Sequence, residues 1–317
     1  MKKRVILYLL AILPFFSFAQ DDTKKDSAAV ADSLKKWKFM GSFSLTTNQA
    51  SYTNWASGGE TAISAGSLFL YNISYINKKS QWENVFKLGY GIVWQKTNGR
   101  KKSDDIIDIS SKFGYKSYKN WYYSIIAGFN TQFDKGFMSD TIFSSEFMSP
   151  GYLSFSIGMD YKPNPSFSLL IAPLAGKFTF VQNETLANAG AYGVKPAVYS
   201  EVTGKLITPG ETSKSEFGGA IKINYKKEIL KNMTLITKLD LFSNYLKSPE
   251  KIDIMWDLDI NMKVNKYITA SISTKLLYDY DIKIGKDENK NEIIETNEIK
   301  DRVQFKEVIA VGFTYKF

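Results

Sequence analysis

The sequence predicts an all-β protein, an antiparallel transmembrane β-barrel of about 12 strands with a cleaved N-terminal signal peptide. Long segments of alternating polarity, alternating short and long connections, and aromatic residues at the strand ends all favour it. The clearest alternation has apolar side chains at even positions from Ile252 to Val264, with Asp253, Asp257 and Asp259 between them. One face of such a strand is apolar and the other is charged. An ordinary strand is shorter, about 5–6 residues.

The same alternation places each strand in turn. It predicts strands at residues 38–49, 60–76, 81–95, 104–117, 120–133, 148–161, 166–180, 215–226, 232–246, 251–264, 268–283 and 301–317. Short connections then alternate with long ones, of which 50–59, 134–147, 181–214 and 284–300 are examples. Outer-membrane barrels have short periplasmic turns and longer external loops. We therefore expect a location in the outer membrane of a Gram-negative bacterium, with both termini in the periplasm.

Aromatic residues on the apolar faces form two groups, as expected for girdles at the two membrane interfaces. Those beside short turns are Tyr75, Trp82, Trp121, Tyr161, Phe167, Tyr225, Tyr315 and Phe317, and those toward long loops are Trp94, Phe133, Tyr245, Tyr278 and Phe305. The alternative, a large soluble β-sandwich, would not require this pattern together with a signal peptide and a terminal aromatic residue.

The N-terminus predicts export from the cytoplasm. Residues 1–19 have the basic start, the apolar stretch and the small-x-small end of a signal peptide. Residues 20–36 form a polar periplasmic tail, and the barrel occupies residues 37–317. Loss of Lys2, Lys3 and Arg4 lowers the net charge from +9 to about +6. The basic excess is interpreted as dispersed, so no nucleic-acid partner is expected.

The composition also limits the chemistry. The chain contains neither His nor Cys, so histidine-dependent serine hydrolysis, thiol chemistry and the usual zinc sites are excluded. We expect no enzyme activity, no catalytic residue, no cofactor and no metal ion. A two-carboxylate mechanism, for which Asp253, Asp257 and Asp259 are the nearest candidates, is the alternative that the missing histidine leaves open.

The charged faces of the strands predict a polar lumen. A network of charges is expected from Lys238, Asp240, Asp253, Asp257, Asp259 and Lys275. The connection lengths predict that Lys238 faces Asp259 and that Asp257 faces Lys275, although a slip of two residues would change these partners. Such ladders can stabilise a wet interior or filter ions. A structural role and a dedicated binding site both remain open.

Three further segments suggest binding or closure. Residues 51–60 combine Tyr52 and Trp55 with two glycines and can stack a sugar. Residues 181–214 are long enough to fold inward and constrict the pore. Asp104, Asp105 and Asp108 can attract a divalent cation. An ordinary loop or a solvated acidic strand is the simpler interpretation of the first and the last.

The last strand predicts an assembly signal. Gly312, Tyr315 and Phe317 resemble the C-terminal pattern that the barrel-assembly machinery recognises, although Ala310 stands where a polar residue is usual. The expected partners are therefore this machinery, outer-membrane lipid and lipopolysaccharide, and an envelope protein complex.

Several segments resemble a family of Bacteroidota outer-membrane β-barrel proteins catalogued as a domain of unknown function. They are residues 82–91 (WENVFKLGYG), 121–123 (WYY), 131–133 (TQF), 158–163 (GMDYKP), 185–193 (TLANAGAYG), 239–246 (LDLFSNYL), 262–267 (MKVNKY) and 302–307 (RVQFKE). The resemblance implies a barrel in the outer membrane and supplies no catalytic residue. The leading expectation is a narrow, porin-like channel for passive passage of small polar solutes or ions. The alternative is a non-conducting accessory barrel within a larger assembly.

Overall fold

The computed structural model describes residues 36–50, 62–95, 99–137, 143–285 and 299–317. Within these residues, twelve strands form one closed antiparallel barrel. The strands are β1 (Trp37–Ala50), β2 (Ala62–Ile76), β3 (Ser80–Gln95), β4 (Gly99–Lys116), β5 (Trp121–Thr131), β6 (Gly151–Asn164), β7 (Phe167–Phe180), β8 (Ser213–Leu230), β9 (Met233–Asn244), β10 (Ile252–Lys263), β11 (Ile268–Tyr278) and β12 (Gln304–Lys316). The predicted barrel is therefore confirmed. The predicted signal peptide, almost all of the polar tail and the loop at 51–60 lie outside the described residues.

Each strand pairs with its neighbours in sequence, and β1 pairs with β12 to close the barrel. Short turns join one end of the strands, at residues 77–79, 117–120, 165–166, 231–232 and 264–267. The opposite end carries the long connections, together with the three-residue connection between β3 and β4. We refer to these as the short-turn end and the long-loop end.

The long connections contain regular structure of their own. Among the described residues, three small hairpins pair Gly136–Phe137 with Phe143–Ser145, Val198–Tyr199 with Leu206–Thr208, and Lys283–Gly285 with Ile299–Asp301. Helix α1 (Glu184–Asn188) begins at Asn183, whose side chain accepts a hydrogen bond from the backbone N–H of Leu186. A 3₁₀ turn follows at Ala191–Gly193. In the described part of the chain, no helix is long and apolar enough to cross a membrane.

The outer wall of the barrel is apolar and aromatic. Trp82 is 41% exposed and Trp94 is 48% exposed, near the short-turn and long-loop ends of β3 respectively. The ring of Trp121 packs against Tyr161 at 4.9 Å between centroids. A closed sheet leaves no edge whose backbone groups would be unpaired in lipid. An apolar outer wall on such a sheet is the surface that a bilayer requires.

Strand β7 carries the main irregularity of the wall. Pro173 lacks a backbone N–H and lies in a bulge, where the register of β7 shifts against both β6 and β8. The opposing residue is Gly158, where a Cβ atom would lie 2.0 Å from the carbonyl oxygen of Ile171. Only glycine permits that approach without a shift of the backbone. The bulge reverses which positions of β7 face inward.

Candidate functional site in the barrel lumen

The candidate site is the inner wall of the barrel, where the strands place their charged side chains. Asp160 on β6 and Glu216 on β8 are 0% and 2% exposed. Ile157 and Phe217, at outward positions of the same two strands, are 42% and 44% exposed. Alternation along each strand therefore separates an apolar outer wall from a charged lumen.

Lys177 links several carboxylates on the inner wall at the long-loop end. Its Nζ atom lies 2.5 Å from Asp279 Oδ2, 3.2 Å from Asp253 Oδ2 and 3.8 Å from Glu216 Oε2. Lys177 belongs to β7 and Asp253 to β10, and two strands separate them in the sheet. The lysine therefore spans the curved wall rather than pairing with an adjacent strand.

A second set of ion pairs extends this cluster into the loops. Lys214 Nζ lies 3.1 Å from Glu216 Oε2 and 2.5 Å from Asp281 Oδ2, and Lys247 Nζ lies 2.9 Å from Asp281 Oδ1. We call Lys177, Lys214, Glu216, Lys247, Asp253, Asp279 and Asp281 the mouth cluster. Burial alone would raise the pKa of Asp281, but hydrogen bonds from Lys214 and Lys247 outweigh it and lower this pKa to about 2. The same hydrogen bond from Lys247 raises the pKa of the Lys247 ammonium.

The middle of the lumen contains the predicted charge network, with one change of partner. Asp257 lies opposite Lys275, with 3.6 Å between Lys275 Nζ and Asp257 Oδ1. The expected pairing of Lys238 with Asp259 is wrong, because Lys238 lies opposite Asp257 and Asp259 lies opposite Ile236.

Turn chemistry accounts for this shift of two residues. The side chain of Asn244 accepts a hydrogen bond from the backbone N–H of Leu246, and Ser243 Oγ donates to the Pro249 carbonyl at 2.6 Å. These bonds begin the turn at residue 245, so β9 ends two residues earlier than the alternation predicts.

The remaining members of the predicted network take separate partners. Asp240 accepts a hydrogen bond from Lys222 Nζ at 2.6 Å. The predicted network therefore falls into three parts. Asp253 belongs to the mouth cluster, Asp240 pairs with Lys222 between β9 and β8, and Lys238, Asp257 and Lys275 lie side by side on β9, β10 and β11.

One ion pair crosses the lumen between distant strands. Lys306 Nζ on β12 lies 3.0 Å from Asp104 Oδ1 on β4, although β1, β2 and β3 separate these strands around the barrel. Strands spaced about 4.8 Å apart and tilted by about 40° give a backbone diameter of about 24 Å for this strand number. A pair reaching between such distant strands narrows the lumen.

The acidic group proposed from the sequence as a cation site does not converge. Asp104 pairs with Lys306, Asp105 pairs with Lys102 at 2.9 Å, and Asp108 lies opposite Lys87. Among the described residues, no group of three or more potential ligands is arranged to hold a metal ion.

A buried carboxylate organises the lumen near the short-turn end. Asp160 lies 2.6 Å from Lys112 Nζ and 3.4 Å from Lys162 Nζ, and it accepts a hydrogen bond from Ser168 Oγ at 2.7 Å. Lys162 Nζ also donates to Gln81 Oε1 at 3.0 Å. The group joins β3, β4, β6 and β7. A buried carboxylate with two cationic partners and a hydroxyl donor is a structural ion pair rather than a reactive group.

The long loop between β7 and β8 packs at the mouth. Val181, Leu186, Ala187 and Val194 form a buried apolar cluster. The ring of Tyr192 packs against it, and its hydroxyl donates to the Ser144 carbonyl at 2.6 Å in the neighbouring loop. A Cβ atom on Gly193 would lie 3.5 Å from Lys214 Nζ and 3.2 Å from the Asp281 carbonyl oxygen. The loop thus contacts the mouth cluster directly.

The sequence pattern alone missed most of the mouth cluster. Simple alternation along β7 assigns Lys177 to the wrong face, because the bulge at Pro173 reverses the inward positions beyond it. Proline inside a predicted strand is the signal that could have revealed this reversal. Asp160 lies within a segment quoted for the family resemblance, and its burial required the packed barrel.

The predicted assembly residues lie at the seam between β1 and β12. A Cβ atom on Gly312 would lie 2.1 Å from the Leu45 carbonyl oxygen. Phe317 exchanges backbone hydrogen bonds with Gly41 at 2.7 and 3.0 Å, and its ring covers Gly41. Tyr315 stacks on the Phe317 ring at 6.0 Å between centroids. All three residues therefore have a structural role in closing the barrel.

The closed antiparallel sheet, apolar outer wall and charged lumen define a membrane-spanning β-barrel of the outer-membrane type. Residues 47–137 match a family model described as "Protein of unknown function (DUF3078)". This match covers less than half of the chain. No curated protein matches the sequence.

Solved structures with a similar fold include an outer membrane channel from Pseudomonas putida F1, at 8% identity and a TM-score of 0.39, with 88% of this chain and 94% of that chain covered. Outer membrane phospholipase A from Escherichia coli is 11% identical with a TM-score of 0.34, over 87% of this chain and 89% of that chain. The translocator domain of an autotransporter from Neisseria meningitidis is 8% identical with a TM-score of 0.33, over 92% and 94%. These likenesses concern the fold alone.

Proposed function

We propose that this protein is a narrow outer-membrane channel for passive passage of small polar solutes or ions, with a preference for small anions. The observation that supports the proposal is that charged side chains in the middle of the lumen stay partly exposed. Lys275 and Lys306 are 49% and 50% exposed, and Asp257 is 34% exposed. Charges that retain this exposure on an inner wall leave room for water beside them.

The arrangement of these charges supports anion preference. Lys275 lies directly opposite Lys306 on the neighbouring strand, so two lysines adjoin each other in the middle of the lumen. The charged side chains within the short turns, all of which the structure describes, are Lys78, Lys79, Lys119, Lys231 and Lys266. We call these five lysines the basic rim. A basic entrance and a basic constriction both favour anions.

The cellular setting belongs to the same proposal. Both termini face the periplasm, residues 1–19 are removed as a signal peptide, and the chain belongs to a Bacteroidota family. Its partners are outer-membrane lipid, lipopolysaccharide and the barrel-assembly machinery during insertion. It is not an enzyme, a proposal that rests on the absence of His from the sequence.

Single-channel recording in a planar bilayer tests the channel. Wild type is expected to show small, anion-preferring conductance steps. Lys306→Ala removes the lumen-crossing pair and is expected to increase conductance. Lys275→Glu is expected to shift the reversal potential toward cation preference, because it reverses one charge of the constriction. Glu307→Gln, on the outer wall of the same strand, is the matched control and should leave conductance unchanged.

The second candidate is a non-conducting accessory barrel in an envelope complex. The lumen-crossing pair and the packed loop at the mouth favour it. If folded wild type and folded Lys306→Ala both fail to conduct, the channel is wrong and the accessory function replaces it. An equal conductance increase in Glu307→Gln would also contradict the assignment of the constriction.

A further inference from the structure

An apolar groove runs along the outer wall near the short-turn end. It has a volume of about 520 Å³ and is lined by Ser117, Tyr118, Trp121, Met159, Ile171 and Pro173. These residues come from the β4–β5 turn and from β5, β6 and β7.

The bulge in β7 shapes this groove. Pro173 stands exposed on the outer wall where β7 departs from the regular ladder, and Gly158 opposite it contributes no side chain. Ile171 and Met159, which pair across β6 and β7, line the wall between the bulge and the turn. A regular strand with larger residues at these positions would present a flatter surface. The recess is therefore a consequence of the local sequence.

The end of the groove at the β4–β5 turn is amphipathic. Trp121 packs on Tyr161 and contributes an indole ring to the lining. Lys119 has a left-handed backbone, with φ of 50°. Its Nζ atom lies 5.0 Å from the centroid of the Tyr118 ring, which itself lines the groove. A positive charge thus stands at the end of an apolar recess, within the basic rim.

We propose that this groove binds one anionic phospholipid, with an acyl chain along Met159, Ile171 and Pro173 and the phosphate at Lys119. Trp121 lies between these two regions, where an aromatic ring with one polar N–H suits a membrane interface. The choice of phospholipid rests on the proposed orientation, in which the short turns face the phospholipid leaflet. It does not depend on conduction. The basic rim adds long-range attraction for the same headgroups.

Native mass spectrometry of the folded barrel, titrated with phosphatidylglycerol, tests the site. One phosphatidylglycerol per barrel is expected to bind saturably and more tightly than phosphatidylcholine. Lys119→Ala is expected to weaken this binding about fivefold, because one lysine near a membrane surface contributes on that order. Lys266→Ala is the matched control, because Lys266 Nζ also stands over its neighbouring tyrosine ring, at 5.2 Å, in another short turn.

A groove-filling variant tests the apolar part. Ile171→Trp places a large ring in the recess on the exposed outer wall and is expected to abolish the saturable site while the barrel still folds. Unsaturable lipid association, equal binding of phosphatidylcholine, equal weakening by Lys266→Ala, or unchanged binding to folded Ile171→Trp would each overturn the proposal. Because the lipid titration is independent of current, a non-conducting barrel that binds the lipid would contradict only the channel.

Discussion

At the residue scale, the face that a side chain occupies decides what a substitution costs. Neighbours on one strand face opposite environments, lipid on one side and the charged lumen on the other. Asp259 lies opposite Ile236 and Ser273, and Ile260 lies opposite Leu235 and Ile272. These two adjacent positions offer a direct comparison of the two faces.

Ile260→Arg is expected to destabilise the barrel far more than Asp259→Arg. An arginine on the lipid face costs roughly 2–4 kcal/mol near the midplane, whereas the lumen is polar. Urea titration of barrels folded in vesicles, followed by heat-modifiable gel migration, measures both variants. Equal stability, or greater damage from Asp259→Arg, would show that the two faces are reversed.

The mouth cluster is expected to weaken at acidic pH through Asp281. Its pKa is lowered from 3.8 to about 2, so its stabilisation is fully present above about pH 4 and is lost as pH falls through about 2. The full shift corresponds to about 2 kcal/mol. Thermal unfolding between pH 6 and pH 2 should show a smaller acid-induced loss in Asp281→Asn than in wild type. Glu211→Gln is the control, because the ion pair of Glu211 with Lys195 is exposed. An equal reduction of the acid-induced loss in Glu211→Gln would refute the assignment of that loss to Asp281.

At the scale of elements, two local features organise the barrel. The bulge at Pro173 sets the inward face of β7 and leaves the groove outside. The seam between β1 and β12 is fastened by Phe317, whose ring covers Gly41 and contacts Phe69 and Tyr71 at 6.5 and 6.4 Å between centroids. Gly41 received no role from the sequence, because only the closed sheet brings it beneath this ring.

Phe317→Ala is expected to lower the stability of the purified barrel, whether or not the residue is also an assembly signal. Loss of a packed aromatic residue in a core costs about 3–5 kcal/mol, and a lipid-facing ring should cost less. Refolding into vesicles without assembly machinery, followed by urea unfolding, isolates the seam. The control is Phe305→Ala, an outward phenylalanine on β12 that is 63% exposed. Stability losses of equal size would show that the seam contact has no special role.

At the scale of the whole molecule, the two ends differ in structure and in charge. The long-loop end carries packed loops and mixed charges, whereas the short turns carry only lysine as a charged residue. This asymmetry underlies the proposed orientation, the lipid site and the anionic preference.

Trypsin added to intact cells is expected to cut at Lys205 and to spare Lys78 and Lys79. Lys205 is exposed in the hairpin of the β7–β8 loop, which the proposed orientation places outside the cell. Permeabilised cells should show cleavage in the 77–79 turn as well, which serves as the accessibility control. Cutting at Lys78 in intact cells with Lys205 protected would invert the topology.

The strands, their order and the polarity of most wall positions follow from the amino-acid sequence alone. A strand has a side-chain period of two, so alternation from Ile252 to Val264 requires no distant information. Pairing of the strands that are joined by short turns likewise follows from the length of those turns. The charge positions Asp240, Asp253, Asp257 and Lys275 followed from the same period.

The partners of those charges, by contrast, follow from the folded barrel and not from local sequence. Register depends on turn chemistry, as at Asn244, and a shift of two residues gave Lys238 a different partner while keeping its face. The bulge at Pro173 reversed the facing of Lys177. The pairs of Lys306 with Asp104 and of Lys177 with Asp253 depend on the closure and curvature of the sheet, which bring strands distant in its order within reach. Local periodicity determines the face of a residue, whereas closure of the barrel determines which residues meet across the lumen.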